Sequence, residues 1–281
     1  MKKIFVFGSI NMDLSIECSR MPSKGETLRG FGFIESPGGK GANQAAAAAK
    51  TDAEVYMVGK VGADRMGDSV AASLESYGVK WGCLLRDGTV TGVAVIVRGE
   101  DDNRIICDYG ANYEITSADA ARVLDQYASA GDIFMAQLEC RHEDVLTGLM
   151  DAKKRGLTTI FNPAPAAKLP EDLYKSLDYI IVNQTECELL TGIYPKSFEE
   201  THEALRQFRE RGVLCPIVTL GALGSISYCG DEYTVYPALS VKVTDTTAAG
   251  DAYIGAFASR LAAGESVGSA LRFATVAAAV T

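Results

Sequence analysis

Residues 132–161 read DIFMAQLECRHEDVLTGLMDAKKRGLTTIF, and they set the fold class. Asp132–Gln137 is an apolar run of strand length, His142–Arg155 reads as a helix closed by Gly156, and Leu157–Phe161 is a second apolar run. Glycine just past a helix suits its left-handed end, and two strands joined through a helix lie parallel. The same alternation continues on both sides. A helix at Ser117–Ala130 comes before; after come a short helix near Glu171–Leu177, a strand at Tyr179–Val182 and a helix that follows Ser197-x-x-Glu200. That spacing is a capping box; Leu205 and Phe208 share one face of the helix and Gly212 ends it. Strand Pro216–Leu220 follows, then two antiparallel-looking segments at Ser225–Cys229 and Tyr233–Tyr236, and a last helix beginning near Ser266.

Towards the N-terminus, Ile4–Ile10 (IFVFGSI) is continuously apolar, as in a strand buried on both faces. Gly41–Lys50 is an alanine-dense helix, Ala53–Val58 a strand, Met66–Tyr77 a helix stopped by Gly78, and Val79–Leu85 a strand. Strands alternating with helices predict a mainly parallel sheet covered on both faces. Some pieces break this alternation. Leu14, Ile16 and Cys18 alternate with Ser15, Glu17 and Ser19; Thr27–Ile34 is extended until Pro37-Gly38-Gly39; and Thr91–Arg98 with Arg104–Tyr109 forms a hairpin. These read as a small sheet projecting from the body as a lid. Ala94 and Ile96 make one of its faces apolar, so that face is expected to be covered.

Composition narrows the function classes. At 281 residues, with 47% hydrophobic and 22% charged residues, the chain has the profile of a soluble globular protein with a substantial core. The net charge of −9 and pI near 4.9, without a basic run, argue against nucleic acid or an anionic membrane surface as partner. The seven cysteines include no C-x-x-C pair, which fits reduced thiols in the cytoplasm. The N-terminal apolar run is too short for a signal sequence, and no stretch approaches the ~18 apolar residues of a membrane span. His142 and His202 lie among charged helical neighbours, as solvated positions rather than a triad or zinc site.

In such sheets ligands bind beyond the C-terminal ends of the strands. Asn11 and Asp13 follow the first strand, Glu139 the 132–137 strand, Asn183 the 179–182 strand, and Thr219-Leu220-Gly221 closes another. Asp245-Thr246-Thr247-Ala248-Ala249-Gly250-Asp251 is a small-residue turn opening a helix. Free amides and the helix dipole there favour an anion, and Asp251 stands where that anion would meet a second reactant. As a plain helix-end carboxylate Asp251 would contribute only about 0.3–1 kcal/mol. Gly38-Gly39-Lys40-Gly41-Ala42-Asn43 is neither a P-loop nor G-x-G-x-x-G, but Lys40 and Asn43 bring donors and an acceptor suited to hydroxyl groups. Glu186, in the first turn after Asn183, is either a helix-dipole partner or an outer-sphere magnesium ligand. Thr219–Gly224, with glycine at Gly221 and Gly224, is either a turn or a surface for a flat base or phosphate.

Taken together these motifs resemble the ribokinase family of sugar kinases, of the phosphofructokinase-B type. The likeness includes FVFGSINMD at 5–13, PGGKGANQA at 37–45, YGAN at 109–112, QLE at 137–139, NPAPA at 162–166, NQTE at 183–186, TLGALG at 219–224 and DTTAAGD at 245–251. It implies a three-layer α/β/α body over 1–12, 37–90 and 112–281 with a β lid over 13–36 and 91–111. It also implies ATP-dependent phosphorylation of D-ribose at its 5-hydroxyl. By the same resemblance Asp251 is the base; Ala248, Ala249 and Gly250 form the anion hole; Asn11, Asp13, Gly39, Lys40, Asn43 and Glu139 bind sugar. Asn183, Thr219, Gly221, Gly224 and Gly250 face ATP, Glu186 acts on the magnesium shell, and Asp245 and Thr247 hold potassium. Two lids are expected to pair into a homodimer. Ala248 stands where many relatives have glycine. The chain ends at Val280-Thr281 inside a predicted helix, whereas the family continues with a basic, glycine-containing loop that completes the potassium and nucleotide sites. Two other readings stay open: a kinase for deoxyribose, fructose or an adenosine-like nucleoside, and a non-catalytic sugar-binding protein.

Overall fold

Main-chain hydrogen bonding builds one wide sheet and one small one. A computed structural model describes residues 1–99, 103–241 and 247–281, with 82–87 as backbone only. The body strands are β1 (Lys3–Phe7), β4 (Glu54–Gly62), β5 (Lys80–Asp87), β8 (Ile133–Ala136), β9 (Thr158–Phe161), β10 (Tyr179–Val182), β11 (Cys215–Thr219), β12 (Ser225–Cys229) and β13 (Glu232–Tyr236). Their order is β13-β12-β11-β10-β9-β8-β1-β4-β5, parallel except where β12 and β13 turn back at one edge. Alternate side chains of β1 enter opposite cores: Phe5 and Phe7 one, Ile4 and Val6 the other. The first core is roofed by α3 (Ser117–Tyr127), α4 (His142–Lys154), α5 (Gln184–Thr191) and α6 (Phe198–Arg211). The second is roofed by α1 (Lys40–Ala49), α2 (Arg65–Ser76), α7 (Ala249–Ala262) and α8 (Val267–Ala279). The expected α/β layering with a separate small sheet is what forms. Among the described residues no helix is long and apolar enough to cross a membrane.

The small sheet has the order β3-β2-β6-β7, with β2 (Asn11–Glu17), β3 (Phe31–Gly38), β6 (Gly92–Arg98) and β7 (Asn103–Asp108). Ser36, Asp13, Ala94 and Cys107 lie in one cross-strand row. Ala94 and Ile96 are 6% and 9% exposed, while Ile34 and Ile105, on the flanking strands, are 57% and 60% exposed. Two clamps join lid to body. Buried Asn112 accepts from Ile10 N (2.8 Å) and donates to Ile10 O (3.2 Å) and Asn11 Oδ1 (2.7 Å). Asp64 accepts from Thr91 N (2.8 Å) and its hydroxyl (2.7 Å) while capping α2 through Gly67 N (2.7 Å).

Some boundaries differ from the sequence pattern. The first strand ends at Phe7, because Asn112 takes both main-chain groups of Ile10 and diverts residues 8–10 into the lid. β3 runs through Pro37, opposite Met12; at a sheet edge the missing N–H of proline breaks no ladder bond. The turn near residue 174 is a 3-10 helix, Tyr174–Ser176, not a longer α-helix. Cys215 and Cys229 stand opposite each other on β11 and β12 with Cα atoms 4.5 Å apart.

Three glycines bring backbone onto backbone. A Cβ on Gly41 would lie 2.6 Å from Gly8 C, and one on Gly255 2.7 Å from Ala47 Cβ and 2.9 Å from Ala48 N. The end of β1 and α1 therefore touch main chain to main chain, and α7 meets α1 at Gly255 with nothing larger than the Ala47 methyl between them.

Candidate active site

Residues from these contacting elements converge beyond the C-terminal edge of the parallel strands. A cavity of about 240 Å³ is lined by Lys40, Asn162, Asn183, Glu186, Thr219, Ala248, Gly250 and Asp251, among others. Asp251, on the first turn of α7, is 8% exposed. Its Oδ2 accepts from Asn43 Nδ2 (3.2 Å) and its Oδ1 from Gln44 Nε2 (2.9 Å). Burial pushes its pKa up, opposed by the Lys40 charge and these amide donors and reinforced by Glu139.

The lid contributes Asp13. Burial, then the charges of Glu139 and Asp251, raise its carboxyl to about 6 against the pull of Lys40. A side chain at Gly38 would collide with this carboxylate, so the glycine-rich turn makes room for it. Glu139 Oε2 accepts from Ser9 Oγ (2.6 Å) and from the Lys40 amide (3.0 Å), at the N-terminal end of α1 where its charge is favoured. Gly39, at φ 90, packs its Cα face against Asn11 N and Ser9 O. Three carboxylates thus surround one lysine, a polar setting matched to a hydroxyl-rich molecule.

At the opposite wall α7 begins without a side-chain cap. Ala248 is left-handed at φ 60, and beside it Gly250 faces open space. That conformation costs a residue with a Cβ about 1–2 kcal/mol and explains why glycine suits the position. The N–H groups of the first helical turn are left for an anion. Asn183 caps α5 in a full capping box: its side chain accepts from Glu186 N (2.8 Å), and Glu186 accepts from Asn183 N (2.9 Å) and Nδ2 (3.0 Å). Glu186 is thus a helix-end carboxylate that also lines the cavity, its pKa raised chiefly by burial.

The other candidates are placed less centrally. Asn11 is buried, its Oδ1 taken by Asn112 at the lid junction. Thr219 donates to Val182 O (3.3 Å) and borders the cavity; Gly221, at φ 58, is exposed just beyond it. Gly224, at φ 97, lies so close to Tyr236 O that any side chain would clash there, a turn requirement in its own right. Thr247 is exposed ahead of α7, and Asp245 lies outside the described residues. Four contributors were not singled out from the sequence: Ser9, Gln44, Gln137 and Asn162. All four stand inside or beside quoted motifs, and their partners are more than ninety residues away in sequence or hidden in the core.

The pfkB family carbohydrate kinase model matches residues 1–281. The chain belongs to the pfkB family of carbohydrate kinases. It is 37% identical over 278 residues to the ribokinase of Lactococcus lactis subsp. lactis (strain IL1403), covering 99% of this chain and 89% of that protein. It is 36% identical over 258 residues to the deoxyribokinase of Salmonella typhi, covering 91% and 84%. Among solved structures, Arabidopsis thaliana ribokinase complexed with ribose and ATP superposes with a TM-score of 0.89 at 31% identity, over 99% of this chain and 91% of that one. As a pfkB carbohydrate kinase the protein transfers a phosphoryl group to an alcohol group of a sugar.

Proposed function

We propose that this kinase transfers the γ-phosphoryl group of ATP to the 5-hydroxyl of D-ribose. The observation that carries the reading is the buried carboxylate of Asp251 on the same helical turn as the uncapped amides that follow Ala248. Phosphoryl transfer depends on positioning and charge neutralisation, and a base is useful only within hydrogen-bond reach of the acceptor hydroxyl. Ionised Asp251 accepts the hydroxyl proton as the new O–P bond forms and the bond to the leaving ADP oxygen breaks. The amides of Ala249 and Gly250, at the turn made by Ala248, hold the phosphoryl oxygens. Asp13, Gly39, Lys40, Asn43 and Glu139 fix the sugar hydroxyls, and Asn11 steadies the strand that carries Asp13. Thr219, Gly221 and Asn183 border the nucleotide, with Gly224 holding the turn in shape.

Glu186 suits magnesium through water, because each of its oxygens accepts one N–H from Asn183 and retains a lone pair. When bound, the ion would neutralise phosphate charge. Potassium at Asp245 and Thr247 rests on the family resemblance. Pairing of two lids into a homodimer is supported by the exposure of Ile34 and Ile105. A reaction on ATP and a small sugar belongs in the cytoplasm. Deoxyribose is the second reading, supported by the similarity to a deoxyribokinase.

Substitution Asp251→Asn tests the assignment. General-base help is typically worth about 10²–10⁴-fold, so turnover on ribose should fall at least about a hundredfold with the circular dichroism spectrum unchanged. Near-normal turnover would remove Asp251 as base.

A further inference from the structure

Behind Asp251 lies a file of buried amides, in which Gln44 and Gln137 stand clear of the cavity and Asn162 borders it. Gln44 and Gln137 are both 0% exposed, and Asn162 is 7% exposed. Gln44 Nε2 donates to Asp251 Oδ1 (2.9 Å) and approaches Asn162 Oδ1 (3.4 Å), while its Oε1 accepts from Gln137 Nε2 (2.6 Å). Asn162 Nδ2 in turn donates to the main-chain carbonyl of Ile181 (3.0 Å).

We infer that Gln137 and Asn162 lock the amide of Gln44 with its N–H₂ towards Asp251, making Gln44 a positioning residue that keeps this carboxylate in its proton-accepting form. The inference rests on Asp251 being the base. A main-chain carbonyl can only accept, so it obliges Asn162 to turn its Nδ2 to Ile181 and its Oδ1 to Gln44. That oxygen requires a donor, which Gln44 supplies with Nε2. Gln44 Oε1 is then directed at Gln137, which must answer with its own Nε2. The far end of the file bears the consequence: among the described residues Gln137 Oε1 meets no donor, and it lies so near the Cα of Gly8 that a side chain there would strike it. A buried acceptor left unmatched at the end away from Asp251 is what a fixed polarity would produce. Turning the file round would place Gln44 Oε1 against the Asp251 carboxylate, tolerable only when Asp251 carries a proton.

Around Asp251 the charged groups oppose one another. Lys40 and Asn43 on α1 favour the ionised form, whereas Glu139 after β8, Asp13 on β2 and Glu186 on α5 disfavour it. Gln44 adds a donor to the favourable side without bringing a second charge near the substrate.

The test is the titration of the Asp251 carboxyl in the full-length, ligand-free protein. It is followed by ¹³C NMR, with the signal assigned by its loss in Asp251→Asn, and paired with the pH profile of kcat. Losing one hydrogen bond to an ionised group should raise the midpoint by about one pH unit in Gln44→Met, shifting the acidic limb of kcat the same way. Gln137→Met, which contacts neither Asp251 nor the cavity, should shift it in the same direction by less. Sugar KM at high pH should stay within about twofold in both, because neither glutamine lines the sugar pocket. A packing defect alone would lower kcat at every pH and leave the midpoint in place. If Gln44→Met does not fold, Gln137→Met decides. An unmoved midpoint in Gln137→Met, or a downward shift, overturns the relay while an inactive Asp251→Asn leaves the base in place. Normal turnover by Asp251→Asn removes the base, whatever the glutamine variants do.

Discussion

Asp13 and Asp251 share a predicament: both are carboxylates moved out of water beside other carboxylates, and each is rescued in part by Lys40. For Asp13 the balance is testable by pH. Its carboxyl is raised to about 6, so in the free enzyme it gains a proton as pH falls through that value. If the ionised form binds sugar, KM for ribose should rise as pH drops below 6. The rise should reach about tenfold at pH 5, where about a tenth of the group remains ionised. In Asp13→Asn, affinity should be weaker and flat across that range; a parallel slope in the variant would assign the titration elsewhere. Asp13, Glu139 and Asp251 could be named as candidates from the sequence, because each is a carboxylate that follows a strand or opens a helix at one sheet edge. Gln44 and Gln137 could not, since a neutral amide in an apolar stretch carries no local sign of a distant partner. Glu186 was legible only as two alternatives; its capping-box contacts match the first, and its place in the cavity wall supports the second as a proposal.

At the level of elements, alternation and capping foretold most of what formed. Ser197 with Glu200 starts α6 and Gly212 ends it, as spacing indicates. The sequence patterns failed where tertiary contacts override local preference. Asn112, a hundred residues along the chain, ends β1 early, and an edge position lets Pro37 stay in a strand. The alanine density of α1 did suggest close packing, though not that Gly255 of α7 would be its counterpart. Gly255→Ala should force α1 from α7, an overpacking typically costing about 1–3 kcal/mol. Thermal unfolding should fall by several degrees, and turnover should fall as well, because Asn43 and Gln44 ride on α1 while Asp251 rides on α7. Wild-type stability in that variant would show that the two helices can yield.

For the whole molecule, the apolar face of the lid is the feature that a single chain leaves unfinished. Ile34 and Ile105 flank buried Ala94 and Ile96 on the face that also bears Asp13, so covering it would bring a second copy close to the sugar pocket. Ile34→Arg together with Ile105→Arg should convert a dimer to a monomer by analytical ultracentrifugation, with body helicity unchanged. A wild-type chain sedimenting as a monomer at micromolar concentration would end the proposal. Glu35 on β3 and Arg65 on α2 meet through two hydrogen bonds of 2.9 and 3.0 Å, so the lid also rests on the body through an exposed ion pair. Such a pair is worth at most about 1 kcal/mol, weak enough to open and re-form.

The contact of Gly8, Gly41 and Gly255 bears on substrate length. It joins α1, which carries Lys40 and Asn43, to α7, which carries Asp251, through main chain and a single alanine methyl, so their separation is a fixed gauge. Movement of the small sheet would leave that distance unchanged. An aldose with one carbon more or fewer between its gripped hydroxyls and its reacting oxygen would still bind, yet present that oxygen out of line. Across a series of aldoses graded by chain length, discrimination should therefore appear in kcat more than in KM.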